Sequence, residues 1–499
     1  MLSDYRLPQR RIVLLGVGHT NAHVLRMWAR RPIHDAELVC VSDFSRATYS
    51  GMLPGALAGQ YLTSEMEIDL VRLCALAGAR LITDPVTGLD PDHSRLLFAE
   101  RPPMRFDALS IGVGSRPLPS PAEPSVVAIK PMQTFLERLE TAFARLPPAT
   151  HDRPWKLTVV GAGAGGVEIA LCLPEYVRRR FGPVRFELQI VSRDDRLMAG
   201  ASVKAVGLVR AELERRGVEL RLGVGVVDAD DYGTLLLENK TTLPSDLTIW
   251  AVSARPREVA DRFPLPFDAH GFFAVRPTLQ STNYDQIFAV GDASTCLEQP
   301  RPKAGVYAVR QGPILWENFQ RMLASEPLVD WKAQDGFLAL LNTGDGRAVV
   351  DYKGFAWHGA WCWKLKRWID GRFMRMYQPG AFAGMTAAPT PTSVDDEMAC
   401  GGCGCKIPHR VLTRALHDLG IDGAGMGPYQ HVMTGVAEAD DVAVWLQDAN
   451  APIAANVDFF TLPLDDPFVA GKLAARNSLS ALEARNCRQN AALAMAETP

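Results

Sequence analysis

The stretch KLTVVGAGAGGVEIALCL, residues 156–173, decides the fold of this 499-residue chain. The apolar run Leu157–Val160 predicts a buried strand, and apolar residues at helical spacing follow the glycine-rich turn. The turn has the complete G-x-G-x-x-G spacing, with Gly161, Gly163 and Gly166. Such glycines allow a tight turn, a close approach of the backbone to a pyrophosphate and close packing of helix on strand. The stretch therefore predicts a Rossmann-like dinucleotide-binding unit, and we assign Glu168 on its helix to the same cofactor site.

The next apolar stretch, FELQIVSRDD at residues 186–195, predicts the second strand of this unit. A carboxylate at the end of that strand would bind the ribose of NAD, whereas an arginine would suit the extra phosphate of NADP. This strand ends in Ser192 and Arg193, and Asp194 follows. The choice between the two nucleotides stays open, and the expected ligand is NAD(P)H.

A second copy of the pattern lies nearer the start of the chain, in RIVLLGVGHTNAHVLRMWARR at residues 11–31. The strand Ile12–Leu15 leads into a turn that carries Gly16, Gly18 and Asn21. Because asparagine replaces the third glycine, we expect looser packing of helix on strand. The following strand ends at Asp43, which is predicted to bind an adenine ribose or else to be an ordinary loop aspartate. The chain thus contains two candidate dinucleotide sites.

Composition is that of an ordinary globular protein. Hydrophobic residues make up 47%, charged residues 22%, and the net charge of −3 does not suggest a nucleic-acid partner. A secretory signal and a membrane-spanning helix are not expected, because no apolar run of suitable length occurs. Most of the nine cysteines stand singly, which fits reduced thiols in a cytoplasmic protein.

Three further segments resemble parts of flavoproteins that bind two dinucleotides. YDQIFAVGDAST (284–295) runs into Gly291 and Asp292, like the motif whose aspartate binds the ribityl or phosphate portion of FAD. DALSIGVGSRP (107–117) and LTIWAVSARP (247–256) are similar to the strand-and-turn segments that return from each nucleotide domain. The resemblance implies FAD in the first unit, NAD(P)H in the second, and hydride transfer between them.

A missing motif reduces the number of possible electron acceptors. Disulfide reductases of this superfamily carry a cysteine pair after the first nucleotide unit, but SRATYSGMLPGALAGQY (45–61) has no cysteine. A dithiol relay from that position is excluded. The expected acceptor is therefore a quinone, oxygen or another small molecule.

TYSGMLPG (48–55), RPKAGVYAVRQGP (301–313) and LNTGDGRAVV (341–350) resemble type II NADH dehydrogenases and sulfide:quinone reductases, in the subgroup fused to selenide, water dikinase. This resemblance covers residues 8–378. It implies glutamines near a quinone, of which Gln311 is kept while Gly305 replaces another. Lys303 is expected to stabilise the anionic reduced flavin, or else to be a surface lysine.

The segment 355–377 predicts a basic amphipathic helix with tryptophans. Its expected apolar face comprises Trp361, Leu365, Trp368, Ile369, Phe373 and Met376. Such a helix suits contact with an anionic membrane surface, and it also suits ordinary packing over the flavin domain. The protein is therefore expected in the cytoplasm, with peripheral attachment to the inner membrane face as an option.

Beyond a linker at 379–397, CGGCGCKIP spans residues 400–408. Its cysteines with His409 are possible ligands of zinc or an iron cluster, and Cys400 with Cys403 is a possible redox pair. GCGCK followed by PHRVLTRAL also resembles the catalytic loop of selenide, water dikinase. That resemblance implies catalytic roles for Cys403 and Lys406.

The same resemblance places Asp441 and Asp458 where dikinase carboxylates bind the magnesium ions of ATP. Ala481 stands where a further metal-binding aspartate is expected. We therefore expect that no selenophosphate is made; selenide-dependent release of AMP from ATP would contradict this. The alternatives are a bifunctional oxidoreductase and dikinase, and a flavin-binding sensor or scaffold without turnover.

The expected fold is α/β with two Rossmann-like domains. The FAD domain is discontinuous, at 8–120 and 265–330, around an NAD(P) domain at 121–264. An extension at 331–378 and the linker precede a partial α+β dikinase domain at 398–499. A homodimer is an open possibility.

Overall fold

The computed structural model describes residues 8–117, 121, 124–230, 233–382, 409–418, 431–434, 442–448, 451–458, 466–488 and 492. The chain divides into two compact units, Met1–Ala388 and Pro389–Pro499. The helices are α1 (His19–Arg30), α2 (Leu53–Leu57), α3 (Leu70–Ala77), α4 (Phe135–Phe143), α5 (Ala164–Phe181), α6 (Val203–Arg215), α7 (Gly305–Leu323), α8 (Ala360–Arg375), α9 (His409–Asp418) and α10 (Pro467–Ala484).

Two five-stranded parallel sheets form the centre of the first unit. They share the order of four strands, while the remaining outer strand comes last along the chain in the first sheet and first in the second. The first sheet has the order Ile287–Ala289, Ala108–Ile111, Arg10–Leu15, Ala36–Val41, Arg80–Ile82. The second has the order Val126–Ala128, Leu247–Trp250, Trp155–Val160, Phe186–Ser192, Glu219–Leu222. All neighbouring strands within each sheet are parallel. This confirms the α/β fold class, and a strand from beyond residue 280 completes the first sheet.

Smaller sheets connect and cover these two cores. Antiparallel strands lie at Arg46–Thr48 with Glu67–Asp69; Val86–Asp90, Arg95–Phe98 and Met104–Arg105; Ser115–Pro117 with Ala254–Pro256; Val226–Ala229, Leu235–Leu237 and Thr242–Leu243; and Ala339–Asn342, Ala348–Tyr352 and Phe355–Gly359. Phe273–Val275 pairs in parallel with Ser294–Cys296.

The central strands are apolar because both faces of each sheet are covered by other elements. Ile12, Val13 and Leu14 in the first sheet are fully buried, as are Leu157 and Val159 in the second. Near-continuous apolar runs are typical of parallel strands buried on both faces. The carboxyl ends of these strands carry the glycine turns.

The second unit is described separately. It contains the antiparallel strands Val432–Thr434, Val442–Asp448 and Ala451–Asn456, together with α9 and α10. The predicted linker lies largely outside the described residues.

Asn21, which occupies the position of the third glycine, is fully buried at the start of α1. Its Nδ2 donates to the Gly16 carbonyl at 2.7 Å, and its Oδ1 accepts a hydrogen bond from the Ser110 hydroxyl at 2.7 Å. A Cβ on Gly112 would lie 2.6 Å from the same Nδ2, so that neighbouring strand end must carry glycine. The Asn21 side chain thus joins the first turn to the neighbouring strand Ala108–Ile111, a contact that a glycine could not make.

Replacing Asn21 with alanine is expected to lower the free energy of unfolding of the first unit by about 1–3 kcal/mol, because it leaves the buried Ser110 hydroxyl without its acceptor. Urea unfolding followed by circular dichroism measures this loss. Ser110→Ala and the double variant complete a thermodynamic cycle. A double variant whose loss equals the sum of the single losses would contradict the coupling.

Candidate functional site

A cavity of about 670 Å³ lies at the carboxyl ends of the first sheet and is lined by Gly16, Gly18, Asn21 and Asp43. Gly16 has φ +77°, and a Cβ there would meet the Gly112 carbonyl oxygen at 2.7 Å. Gly18 caps α1 without any side-chain hydrogen bond, so the first N–H groups of the helix are not capped by a side chain. A helix start of this kind suits a pyrophosphate.

Asp43 lies on the rim of this first cavity. Its Oδ2 accepts a hydrogen bond from Arg257 Nη2 at 2.6 Å, and both residues line the cavity. Arg257 comes from the segment after the strand Ala254–Pro256, far along the chain. The position of Asp43 is compatible with the predicted contact to an adenine ribose.

Asp292 also lines the first cavity. Its Oδ2 lies 3.1 Å from Lys130 Nζ and accepts from the Ser115 hydroxyl at 3.0 Å. Burial raises the pKa of Asp292, but the charge and hydrogen bond of Lys130 and the bond from Ser115 outweigh burial and lower it. Gln311 Oε1 accepts from the Gly291 amide at 2.7 Å, which fixes the preceding turn.

A second cavity of about 490 Å³ lies at the carboxyl ends of the second sheet and is lined by Gly161, Gly163 and Gly166. A Cβ on Gly161 would meet the Ala251 carbonyl oxygen at 2.3 Å, and one on Gly166 would meet the Gly161 carbonyl oxygen at 2.1 Å. Gly163 caps α5 without a side chain and has open space around it. The close packing predicted for the complete glycine motif is present.

The two cavities share part of their lining. Arg116, Lys130 and Asp292 border both of them. A ligand in one cavity therefore approaches a ligand in the other beside the Lys130–Asp292 ion pair. Sequence analysis missed Lys130, because it belongs to no motif and lies about 160 residues from its partner.

Lys303 lines the second cavity and is not a surface lysine. Its Nζ donates to Thr295 Oγ1 at 2.8 Å and lies 3.9 Å from the centre of the Phe272 ring. Burial lowers the pKa of Lys303 to about 8, against the opposing effects of Asp268 and Asp292. Because this pKa lies near physiological pH, the amine of Lys303 gains or loses its proton in that range.

Glu168 does not line either cavity. Its Oε1 accepts a hydrogen bond from the backbone N–H of Asn342 at 2.7 Å. Burial raises the pKa of Glu168 to about 7, while Lys366 and this backbone N–H oppose that rise. The assignment of Glu168 to the nucleotide site therefore has no direct support in the geometry. Its surroundings instead come from the flavin unit and from α8.

These surroundings form a buried polar group that we call the Glu168 cluster: Glu168, Lys366, Asp370, Tyr49 and Tyr61. Lys366 Nζ lies 3.2 Å from Asp370 Oδ2 and donates to the Gly51 carbonyl at 2.8 Å. The Tyr61 hydroxyl donates to Asp370 Oδ2 at 3.1 Å. Burial raises the pKa of Asp370, and the pKa of each tyrosine is also raised, first by burial and then by Asp370. The cluster holds several protons in the interior.

The cluster lies directly behind one wall of the first cavity. Ser50 lines that cavity and is followed by Gly51, whose carbonyl accepts from Lys366. The Tyr49 ring centre lies 5.5 Å from that of His19, which also lines the cavity. Burial lowers the pKa of His19, so this imidazole is neutral at physiological pH.

The residues expected to form one apolar face of the helix at 360–375 are divided between exposed and buried positions. Lys366 and Asp370 are buried, whereas Trp361 and Trp368 are 47% and 54% exposed. The ion pair between Lys366 and Asp370 satisfies the buried charges, and this packing turns both indoles outward. Phe373, from the same expected face, is buried.

Most of the predicted dikinase residues cannot be placed. Cys403, Lys406 and Asp441 lie outside the described residues. Asp458 Oδ2 accepts from Asn456 Nδ2 at 3.0 Å, and the same amide also donates to the Ser478 carbonyl. The residues that the structure describes contain no group of side chains suited to a metal ion. Within that same part of the chain, no helix is both long and apolar enough to cross a bilayer.

Known proteins match the first unit along most of its length. The chain is 25% identical over 330 residues to a demethylphylloquinone reductase of Synechocystis, covering 63% of this chain and 79% of the relative. It is 20% identical to a type II NADH:quinone oxidoreductase of Staphylococcus saprophyticus, covering 68% and 90%. The sulfide:quinone oxidoreductase of Aquifex aeolicus shares the fold, with a TM-score of 0.62 at 16% identity over 76% of this chain and 93% of that one.

A separate stretch matches a different enzyme. It is 36% identical over 99 residues to a selenide, water dikinase of Rhizobium meliloti, covering 20% of this chain. The chain spans only about a quarter of that relative, 27% of its length.

The family of pyridine nucleotide-disulphide oxidoreductases matches residues 10–312, which include both glycine turns and Asp292. The open helix starts and glycine cradles described above fit the pyrophosphates of a flavin and a nicotinamide dinucleotide. The chain belongs to this family and is a flavin-dependent NAD(P)H oxidoreductase.

Proposed function

We propose that the protein oxidises NAD(P)H in the second cavity, with FAD in the first, and passes the electrons to a quinone. The observation that carries this proposal is the shared wall at Lys130 and Asp292, where the two cavities meet. No cysteine is among the described residues that line either cavity, which argues against a dithiol relay. The names of the sequence relatives, both quinone reductases, support the choice of acceptor.

FAD, when bound, accepts a hydride from the nicotinamide and then supplies two electrons to the acceptor. In this proposal Gly16, Gly18 and Asn21 position the pyrophosphate end, and Asp43 binds the adenine ribose. Asp292, held by Lys130 and Ser115, accepts from the polar chain of the flavin. Lys303 supplies positive charge on the nicotinamide side of the shared wall.

Reduction of a quinone to a quinol takes two electrons and two protons, whereas a hydride brings two electrons and one proton. One further proton must come from solvent or from the protein. We assign its storage to the carboxyl group of Glu168, since the pKa of that group is raised to about 7 and its cluster lies behind the Ser50 wall of the first cavity.

The proposed function is tested with anaerobic flavin-loaded protein. Adding NADH or NADPH should bleach the visible absorbance of the flavin, and adding a short-chain ubiquinone should restore it. Failure of both nucleotides to bleach the flavin would overturn the oxidoreductase half of the proposal. Bleaching that only oxygen reverses would overturn the quinone half.

Glu168→Gln is expected to slow reoxidation of the flavin by quinone at least tenfold while leaving its reduction by nicotinamide unchanged, since only the first of these steps takes up the stored proton. In the wild type, Glu168 loses its proton as pH rises through about 7, so the reoxidation rate falls over that range. The variant should lose this pH dependence. Stopped-flow spectroscopy measures both half-reactions.

Glu175→Gln is the matched control on the same helix, because Glu175 pairs with Arg178 near the surface. Glutamine at 168 keeps an oxygen for the Asn342 amide, so the local fold should survive. An unchanged pH profile in Glu168→Gln would refute the assignment of the proton to this carboxyl group.

We further propose that the protein contacts an anionic membrane surface through a tryptophan face formed by Trp357, Trp361, Lys364, Trp368 and Arg372. All five side chains are exposed. A Cβ on Gly359 would lie 3.1 Å from Trp357 and 3.6 Å from Trp361, so these two indoles flank one glycine. The Arg372 guanidinium lies 5.5 Å from the Trp368 ring centre. Indoles and cations on one exposed face suit the headgroup region of a bilayer.

Replacing Trp361 and Trp368 together with serine is expected to lower binding to vesicles of phosphatidylcholine and phosphatidylglycerol about tenfold, because both indoles lose their contact with the headgroup region. Co-sedimentation measures the bound fraction. The matched control is Val227→Ser with Leu236→Ser, which removes exposed apolar groups elsewhere. Equal binding of both double variants would refute the tryptophan face.

We propose that the C-terminal segment does not make selenophosphate. The support is that the chain carries Ala481 at an expected metal-binding position. Release of AMP from ATP only when selenide is supplied would instead establish the bifunctional alternative.

A further inference from the structure

The second cavity has an arginine at the position that decides between the two nicotinamide nucleotides. Ser192 ends the strand Phe186–Ser192, Arg193 and Asp194 follow it, and all three residues line the cavity. This strand end faces the adenosine ribose in folds of this kind. An arginine that is free to bind there would recognise the 2′-phosphate of NADPH through two parallel hydrogen bonds.

The Arg193 guanidinium is already engaged by a carboxylate from a distant part of the chain. Its Nε donates to Glu238 Oε1 at 2.7 Å, and its Nη2 lies 2.6 Å from the same oxygen in an ion pair. Glu238 follows the strand Leu235–Leu237 in the small antiparallel sheet. Sequence analysis had no signal for this contact, because the two residues are 45 positions apart and belong to no common motif.

Glu238 is itself fixed in place by the backbone. Its Oε2 accepts from the Gly225 amide at 3.0 Å, and its own amide donates to the Gly225 carbonyl at 2.9 Å. A Cβ on Gly225 would lie 2.7 Å from the carboxyl carbon of Glu238, so a larger residue there would displace this carboxylate from its present position. Gly225 lines the cavity, and the carboxylate therefore lies at its rim. The Arg193 hydrogen bonds and the Gly225 amide lower the pKa of Glu238, which is ionised at neutral pH.

We infer that Glu238 makes the second cavity selective for NADH over NADPH by occupying Arg193. This inference rests on the proposed function, since it concerns the nucleotide that the same cavity binds. A 2′-phosphate would have to displace Glu238 from Arg193 or lie beside two carboxylates, those of Glu238 and Asp194. The negatively charged phosphate and these carboxylates would repel each other. The 2′-hydroxyl of NADH would instead donate a hydrogen bond to one of these two carboxylates.

The test compares wild-type protein with Glu238→Gln. Glutamine keeps an oxygen for the Gly225 amide but removes the charge, so Arg193 becomes available to a phosphate. Isothermal titration with adenosine 2′,5′-bisphosphate and with AMP isolates the 2′-phosphate without any turnover. We expect the variant to bind the bisphosphate about tenfold more tightly and AMP with little change. Anaerobic stopped-flow should show the NADPH-to-NADH ratio of kcat/KM for flavin reduction rising by about the same factor.

Asp195→Asn is the matched control, because it removes one charge from the same exposed turn without contacting Arg193 or lining the cavity. It should leave unchanged both the ratio of bisphosphate to AMP affinity and the NADPH-to-NADH ratio of kcat/KM. Adding Arg193→Ala to Glu238→Gln should abolish the gain in bisphosphate binding. The inference is overturned by wild-type protein that already prefers the bisphosphate to AMP. It is equally overturned if Glu238→Gln shifts neither ratio, or if Asp195→Asn shifts them as much.

Failure of the proposed function looks different from these outcomes. In that case neither nucleotide bleaches the flavin in any variant, while the two adenosine ligands still report whether Glu238 controls access to Arg193.

Discussion

The ion pair between Lys130 and Asp292 links the two sheets at the wall that the two cavities share. Lys130 follows a strand of the second sheet, and Asp292 follows the last strand of the first sheet. Each sheet alone builds a glycine turn and a helix start that suit a dinucleotide. Only the contact between the sheets brings the two reactive ends together. Burial of Asp292 would favour its neutral form, and Lys130 keeps it ionised by staying within 3.1 Å.

The sequence predicted features whose causes are local. A strand, a glycine turn and a helix follow one another within about twenty residues, and their physical requirements are visible in residue types alone. Asn21 shows the limit of such reasoning. Its departure from glycine indicated loose packing, yet Gly112 and Ser110 on a neighbouring strand accommodate and bind its amide. Compensation of this kind involves residues about ninety positions apart, which a single sequence does not connect.

The same limit explains which site residues were missed and which were misplaced. Lys130 and Glu238 act through partners far along the chain, and neither lies in a recognisable motif. Glu168 belongs to the glycine motif by position, but its carboxyl group points away from the cavity lining toward α8. On α8 the apolar side chains were expected to share one face, whether against a membrane or against the flavin domain, but they are divided between exposed and buried positions. Lys366 and Asp370, which are four residues apart, lie on the buried face instead, because their opposite charges pair with each other.

A buried ion pair is seldom the most stable choice for a helix interface, because removing two charges from water costs several kcal/mol per ion. Lys366 and Asp370 are 5% and 3% exposed, so that cost applies to both. Apolar residues of similar size would pack the same interface with less desolvation. The pair also keeps Tyr49, Tyr61 and Glu168 within one electrostatic network, in which the pKa of Glu168 lies near neutrality. Under the proposed function, a network that holds a titratable proton behind the first cavity accounts for charges that packing alone would disfavour, and it would tie the buried face of α8 to the same reaction as the two glycine turns.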